Sequence, residues 1–269
     1  MKLIAQFLFL IFFCSSPWKS EGCSLVQEQG GFYCSTHYST YNTSHFWNKN
    51  GKKLPSYNDF HKKTYHAYSE YGLTSLDTLG IWGSYSRIEE SVNGRTIGFA
   101  DFEINWRHLW CQYNGHNFAT QVIAIVPAES TYKPGLRYGR YGGEISLLYL
   151  REFDFYHRGA WCETRLGYRT YDGFPSDQIR ADLMVGYQLF SRLEIMAEAF
   201  LDFGLFNGDF YVNQNVILYN PNYRLLKLQV EGYLTLTDFA YINVGYFQHV
   251  WGENIGTGGG LFAGACLIF

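Results

Sequence analysis

Over long stretches of this chain every second residue is apolar. From Leu193 to Phe203, Leu193, Ile195, Ala197, Ala199, Leu201 and Phe203 alternate with Glu194, Met196, Glu198, Phe200 and Asp202. A period of two sends the two sets to opposite faces of an extended strand, so one face is apolar and the other largely acidic. Between Ile179 and Leu189, Ala181, Leu183, Val185 and Tyr187 interleave with Arg180, Asp182, Met184, Gly186 and Gln188. Phe102, Ile104 and Trp106 interleave with Asp101, Glu103, Asn105 and Arg107, and Leu226, Leu228 and Val230 with Lys227, Gln229 and Glu231. The alternation predicts about twelve strands, near 29–41, 63–74, 77–88, 97–111, 117–127, 143–154, 160–171, 177–190, 193–204, 223–236, 239–250 and 257–269. Each is long enough to cross a bilayer at a tilt, which takes roughly 9 to 11 residues.

A soluble sandwich alternates in the same way, so the connections carry the distinction. Long segments at 42–62, 89–96, 128–142, 172–176, 205–222 and 251–256 alternate with tight ones at Ser75-Leu76, Gln112 to His116, Phe155 to Gly159, Ser191-Arg192 and Thr237-Asp238. Outer-membrane barrels have short periplasmic turns and longer outer loops, and an even strand number returns both chain ends to the periplasmic side. The expected fold is all-β, a single transmembrane antiparallel up-and-down barrel. If the apolar parity meets lipid, the charged parity points into the lumen. The expected lumen-lining charges are Asp101, Glu103 and Arg107; Glu163, Arg165 and Arg169; Arg180 and Asp182; Glu194, Glu198 and Asp202; and Lys227 and Glu231. Such charges either line an aqueous channel or pair into a rigid plug, and twelve strands lie between barrels filled by side chains and barrels that leave a pore.

The first residues bear on the compartment. Met1-Lys2 leads into an apolar stretch, with Phe7 to Phe13 uninterrupted by a polar residue, followed by small residues at Cys14, Ser15 and Ser16. This has the form of a secretory signal, too short for a spanning helix. Residues 1–22 are expected to be the leader and 23–269 the barrel domain. Beyond it no apolar run exceeds Val122 to Ala128, so any membrane crossing is made with strands. The net charge of −3 offers no basic surface for a nucleic-acid backbone, and 19% aromatic residues exclude disorder. Cys23, Cys34, Cys111, Cys162 and Cys266 show no metal or redox spacing. Cys23 and Cys34 are close enough in sequence to pair, but buried free thiols are the expected state.

The chain ends in Gly258-Gly259-Gly260-Leu261-Phe262-Ala263-Gly264-Ala265-Cys266-Leu267-Ile268-Phe269. This resembles the terminal strand of bacterial outer-membrane proteins, and the resemblance implies that Phe269 is an assembly signal and the barrel-assembly machinery a partner. Aromatics near other strand ends, such as Tyr168, Phe203, Tyr246 and Trp251, suit the membrane-water boundary. Several stretches resemble the XagA-like group of bacterial outer-membrane proteins: Tyr68-Ser69-Glu70-Tyr71-Gly72-Leu73-Thr74, Asp101-Phe102-Glu103, Arg180-Ala181-Asp182-Leu183, Leu234-Thr235-Leu236-Thr237-Asp238 and Gly252 to Gly258. The resemblance implies a β-barrel and a role in surface attachment or with exopolysaccharide; it supplies no catalytic residue.

Candidate chemistry is sparse. His37-Tyr38-Ser39 puts a base and a nucleophile two apart on one strand face, the spacing a barrel lipid hydrolase uses, but such a site needs an orienting partner and an outward aspect in the membrane. His37, His45, His61 and His66 match no standard ligand set. Gly256-Thr257-Gly258-Gly259-Gly260 is followed by no helix and no Lys-Ser/Thr, so it reads as strand glycine rather than a phosphate cradle. The expected function is a non-enzymatic outer-membrane pore or structural surface protein. Its expected partners are outer-membrane lipid and small solutes, it needs no cofactor, and the hydrolase is the alternative.

Overall fold

The computed structural model describes residues 25–91, 94–131, 133, 135–208 and 219–269, with side chains from 222 in the last segment. The leader, Cys14 and Cys23 lie outside the described residues. The strands are β1 (Phe32–Trp47), β2 (Lys53–Gly72), β3 (Asp77–Glu90), β4 (Gly94–Phe99), β5 (Phe102–Tyr113), β6 (His116–Val126) and β7 (Gly142–Phe155). They continue with β8 (Arg158–Tyr171), β9 (Gln178–Phe190), β10 (Leu193–Gly204), β11 (Tyr219–Thr237), β12 (Ala240–Gly256) and β13 (Gly259–Ile268). Apart from β4 and β5, consecutive strands pair antiparallel, and β13 closes the sheet onto β1. Both β4 and β5 pair with β3, the first at Tyr85 to Glu90 and the second at Asp77 to Trp82. They are two halves of one stave, so thirteen strands make a closed barrel of twelve staves.

Three connections expected to be long loops are strand instead. β1 and β2 stay paired past Asn42↔His61 and, after a bulge, to Trp47↔Lys53. β3 continues to Glu90 and β12 to Gly256. Backbone pairing does not need the bilayer, whereas the apolar parity that betrays a strand in sequence is imposed by lipid and ends with it. The opposite error occurs at 97–111, where the expected continuous strand is broken at Ala100-Asp101. There the Asp101 carboxylate accepts the backbone N–H groups of Tyr138 at 2.9 Å and Gly139 at 3.2 Å, tying the break to the 127–141 loop.

The short turns gather at the end where β1 begins and β13 ends, and where Phe32 and Phe269 exchange backbone hydrogen bonds at 2.8 Å. One is Asn114-Gly115, both left-handed (φ 49° and 74°), the pair that a two-residue hairpin turn with matching twist calls for. A side chain at Gly115 would also meet the Glu152 carbonyl at 2.7 Å.

The barrel is inverted relative to a water-soluble one. Leu147 (62% exposed) and Val244 (61%) stand on the outside, while Glu144 (3%) and Asp182 (4%) are buried within. Only a hydrocarbon solvent makes this arrangement favourable, so the wall spans a membrane. The interior has an apolar core near the short-turn end, where Leu25 and Val26 pack with Leu109, Leu148, Leu150, Trp161 and Met196. That segment is also held by polar contacts: Arg107 Nη1 donates to the Leu25 carbonyl at 2.6 Å, and Gln27 Nε2 to Glu70 at 2.9 Å. Residues 25–31 thus enter the periplasmic mouth. At the outer mouth Leu136 of the 127–141 loop packs on Phe60 and Ile88.

Candidate functional site: the lumen

Two kinds of wall face one another across the interior. On the β5 to β10 side, arginines and carboxylates interlock. Glu144 receives Arg169 Nε at 2.7 Å, Arg180 Nη1 at 3.1 Å and Ser146 Oγ at 2.6 Å. Arg169 also reaches Glu103 at 2.8 Å, and Arg180 holds Asp202 at 2.7 Å. Arg107 pairs with Glu70 at 2.8 Å, and Arg165 with Asp182. The Arg180–Glu144 contact skips β8, Arg107–Glu70 skips β3, and Arg169–Glu103 skips β6 and β7, so these pairs run through the interior rather than along the ladder. Glu163 faces both Arg107 and Arg165. Buried carboxylates that each accept more than one charged donor are fixed, because losing one partner leaves an uncompensated charge.

Farther round, Glu194 accepts Trp161 Nε1 at 2.8 Å. The ring lies over Gly186, where a Cβ would fall 2.2 Å from it, so glycine is required for that bond to form. Glu231 takes Asn243 Nδ2 at 2.7 Å and Gln229 Nε2 at 3.2 Å, and Glu198 faces it. Of the expected lumen charges, Asp101 stands apart, spent on the 127–141 loop.

The wall of β1 to β3 and β11 to β13, joined by Arg180, Phe200 and Asp202 of β9 and β10, borders a cavity of about 660 Å³ whose lining includes the carboxylates of Asp202 and Glu231. Lys62 and Lys227 open into it among Tyr41, Phe60, Phe200 and Phe247. Lys227 Nζ sits 3.8 Å from the Phe200 ring centre and donates to Gln229 Oε1 at 3.5 Å. Lys62 Nζ donates to the Gly135 carbonyl at 2.7 Å. Tyr41 stacks on Phe247, their planes 5° apart, and its hydroxyl accepts the Gly258 N–H at 3.1 Å. His37 and Ser39 line this cavity, facing inward. Ser39 Oγ bonds His66 Nε2 at 3.1 Å, not His37. The outward aspect that a lipid hydrolase needs is therefore missing.

Glu144, Glu70 and Lys62 are lumen residues beyond the thirteen expected charges, and His66, weighed in the sequence only as a metal ligand, is the partner of Ser39. Glu144 sits on β7 among Ile145, Leu147, Leu148 and Leu150, where both parities are apolar and no polar stripe stands out. Lys62 lies in the 42–62 segment, where the sequence predicts a loop, although Phe60, Lys62, Thr64 and His66 follow the inward parity.

Outside the membrane, Asp177 in the loop before β9 joins its neighbours. Burial alone would raise its carboxyl, but hydrogen bonds from Thr170, Tyr168 and Asn207 outweigh burial and hold it below the usual carboxylate range. The last two are 2.6 Å and 2.8 Å long.

No protein-family model and no curated protein matches the chain. Among solved structures it is similar to the COG4313 outer membrane channel from Pseudomonas putida F1, with a TM-score of 0.72 at 14% identity over 94% of this chain and 100% of that one. It is also similar to the NanC porin, with a TM-score of 0.50 at 10% identity over 87% of this chain and 98% of that one. At such identities the likeness is one of fold: this chain has the fold of a bacterial outer-membrane β-barrel.

Proposed function

We propose that this barrel is a small-solute pore, narrowed from below by its own N-terminal segment and from above by the 127–141 loop. The observation that carries this reading is the 660 Å³ cavity, lined by rings and by polar groups such as Lys62, Lys227, Ser39 and His66, which a barrel serving only as a scaffold has no need to keep. Twelve of the thirteen charges expected from the sequence belong to this reading as lumen residues, Asp101 being spent on the 127–141 loop, with those on β5 to β10 acting as braces rather than as a conducting surface. Export would remove residues 1–22, and Phe269 would be read by the assembly machinery. Deleting Phe269 should lower the amount of folded protein in the outer membrane; fractionation with wild-type levels would refute that role. The XagA-like resemblance favours a surface-attachment role as a second reading, which predicts a barrel that binds polysaccharide and conducts nothing.

Single-channel recording in a planar bilayer tests the pore. Discrete conductance steps are expected, larger when Leu25→Asp and Val26→Asp loosen the apolar packing at the periplasmic mouth. Silence in both proteins would leave a structural surface barrel. Purified protein should release no fatty acid from phospholipid, and Ser39→Ala should change nothing; hydrolysis abolished by Ser39→Ala would reinstate the enzyme.

A further inference from the structure

The cavity beside β1 to β3 and β11 to β13 is lined by Asp202 and Glu231 as well as by Lys62 and Lys227, but Asp202 is held by Arg180 and Glu231 by Asn243 and Gln229, and neither forms an ion pair with the lysines. Among the described residues Lys62 makes no ion pair; its ammonium donates to the Gly135 carbonyl. Lys227 leans on the Phe200 and Phe247 rings, at 3.8 Å and 5.7 Å. The acids that act on Lys227 most strongly are Glu198 and Asp202. Neither forms an ion pair with it, and Asp202 is held by Arg180 at 2.7 Å. Ring faces stabilise an ammonium without neutralising it, and a recessed charge without a counter-charge is costly. The occupant that improves this cavity brings one negative charge and a compact apolar body.

We propose that the cavity is a binding site for a small organic anion, a monocarboxylate on an aromatic or similarly compact apolar body. Lys62 and Lys227 supply the cationic contacts, Ser39 and His66 supply a hydrogen-bonding pair beside them, and Tyr41, Phe60 and Phe247 pack on the body. The proposal rests on the solute-pore reading and names its solute class.

Purified barrel in detergent is titrated calorimetrically with phenylacetate, 2-phenylethanol, 2-phenylethylammonium and acetate. Phenylacetate should bind about tenfold more tightly than the alcohol, a difference of about 1.4 kcal/mol. The ammonium compound and acetate, lacking the charge or the body, should bind more weakly than phenylacetate. Lys62→Met and Lys227→Met should each weaken phenylacetate about tenfold, while Lys62→Arg keeps it. Lys63→Met, next in the chain but exposed on the outer face, should leave affinity unchanged. Equal affinity for acid and alcohol in the unsubstituted protein overturns the proposal without requiring any variant to fold, as does undiminished binding by folded Lys62→Met. Binding without conductance would overturn the pore and keep the site; conductance without binding would do the reverse.

Discussion

On the β5 to β10 side of the lumen, Arg107, Arg165, Arg169 and Arg180 each meet a carboxylate, whereas on the β1 to β3 and β11 to β13 side Lys62 and Lys227 meet ring faces and neutral oxygens. Strand geometry is the same on both sides; the cation differs. A guanidinium is a planar fork that can hold two carboxylates at once, as Arg180 does with Glu144 and Asp202. An ammonium is a point charge on a flexible stem that remains available to a ligand. One side therefore braces the barrel, and the other keeps its charge for something that enters.

The largest expected effect comes from breaking the braced side at its centre. Glu144→Ala would strand the Arg169 and Arg180 guanidiniums in the interior and should destabilise the barrel by about 3 to 5 kcal/mol. Urea unfolding in lipid vesicles measures this, and a loss similar to that of Lys62→Met, expected to be within about 1 kcal/mol, would erase the distinction between the walls.

A second, smaller effect tests which face is inside. Ala197 is on the lipid side of β10 and Glu198 on the lumen side, so Ala197→Arg should cost about 2 to 4 kcal/mol near the bilayer midplane. Glu198→Gln should fold normally, because it removes one of two acids facing each other. Equal tolerance of Arg at 197 and 198 in the same unfolding assay would remove the membrane assignment.

The smallest effects lie in ion selectivity. Glu194, Glu198 and Asp202 form an acidic stripe in the sequence and favour cations if they face moving ions. In the fold Asp202 is engaged by Arg180 and Glu194 by Trp161, which leaves Lys62 and Lys227 to bias the lumen toward anions. Reversal potentials under a salt gradient should move toward cation preference in the Lys62→Met, Lys227→Met double variant, and move little when the three acids are neutralised together. The reverse ranking would mean that the braced side is the conducting one.

How much of this was legible in the chain differs from strand to strand. β10 could be read residue by residue, since lipid on one side and polar groups on the other write a period of two into Leu193 to Phe203. β7 could be placed but not interpreted, because its inward face carries Leu148 and Leu150 next to Glu144. The upper halves of β1 and β2 were lost to a supposed loop.

The amino-acid sequence by itself determined the staves, their alternate short turns and the inversion of polar and apolar faces. Each of these is a local response to the bilayer, repeated every second residue. Only the tertiary structure decided that Glu144 would join Arg169 to Arg180, that Leu25 and Val26 would seat in the periplasmic mouth, and that Lys62 would face a cavity whose acids, Asp202 and Glu231, are held by other groups. Those outcomes depend on the register and tilt of staves that are distant in sequence. A shift of one residue between two strands exchanges inside for outside and separates every cross-lumen pair, and no single strand carries the information that sets it.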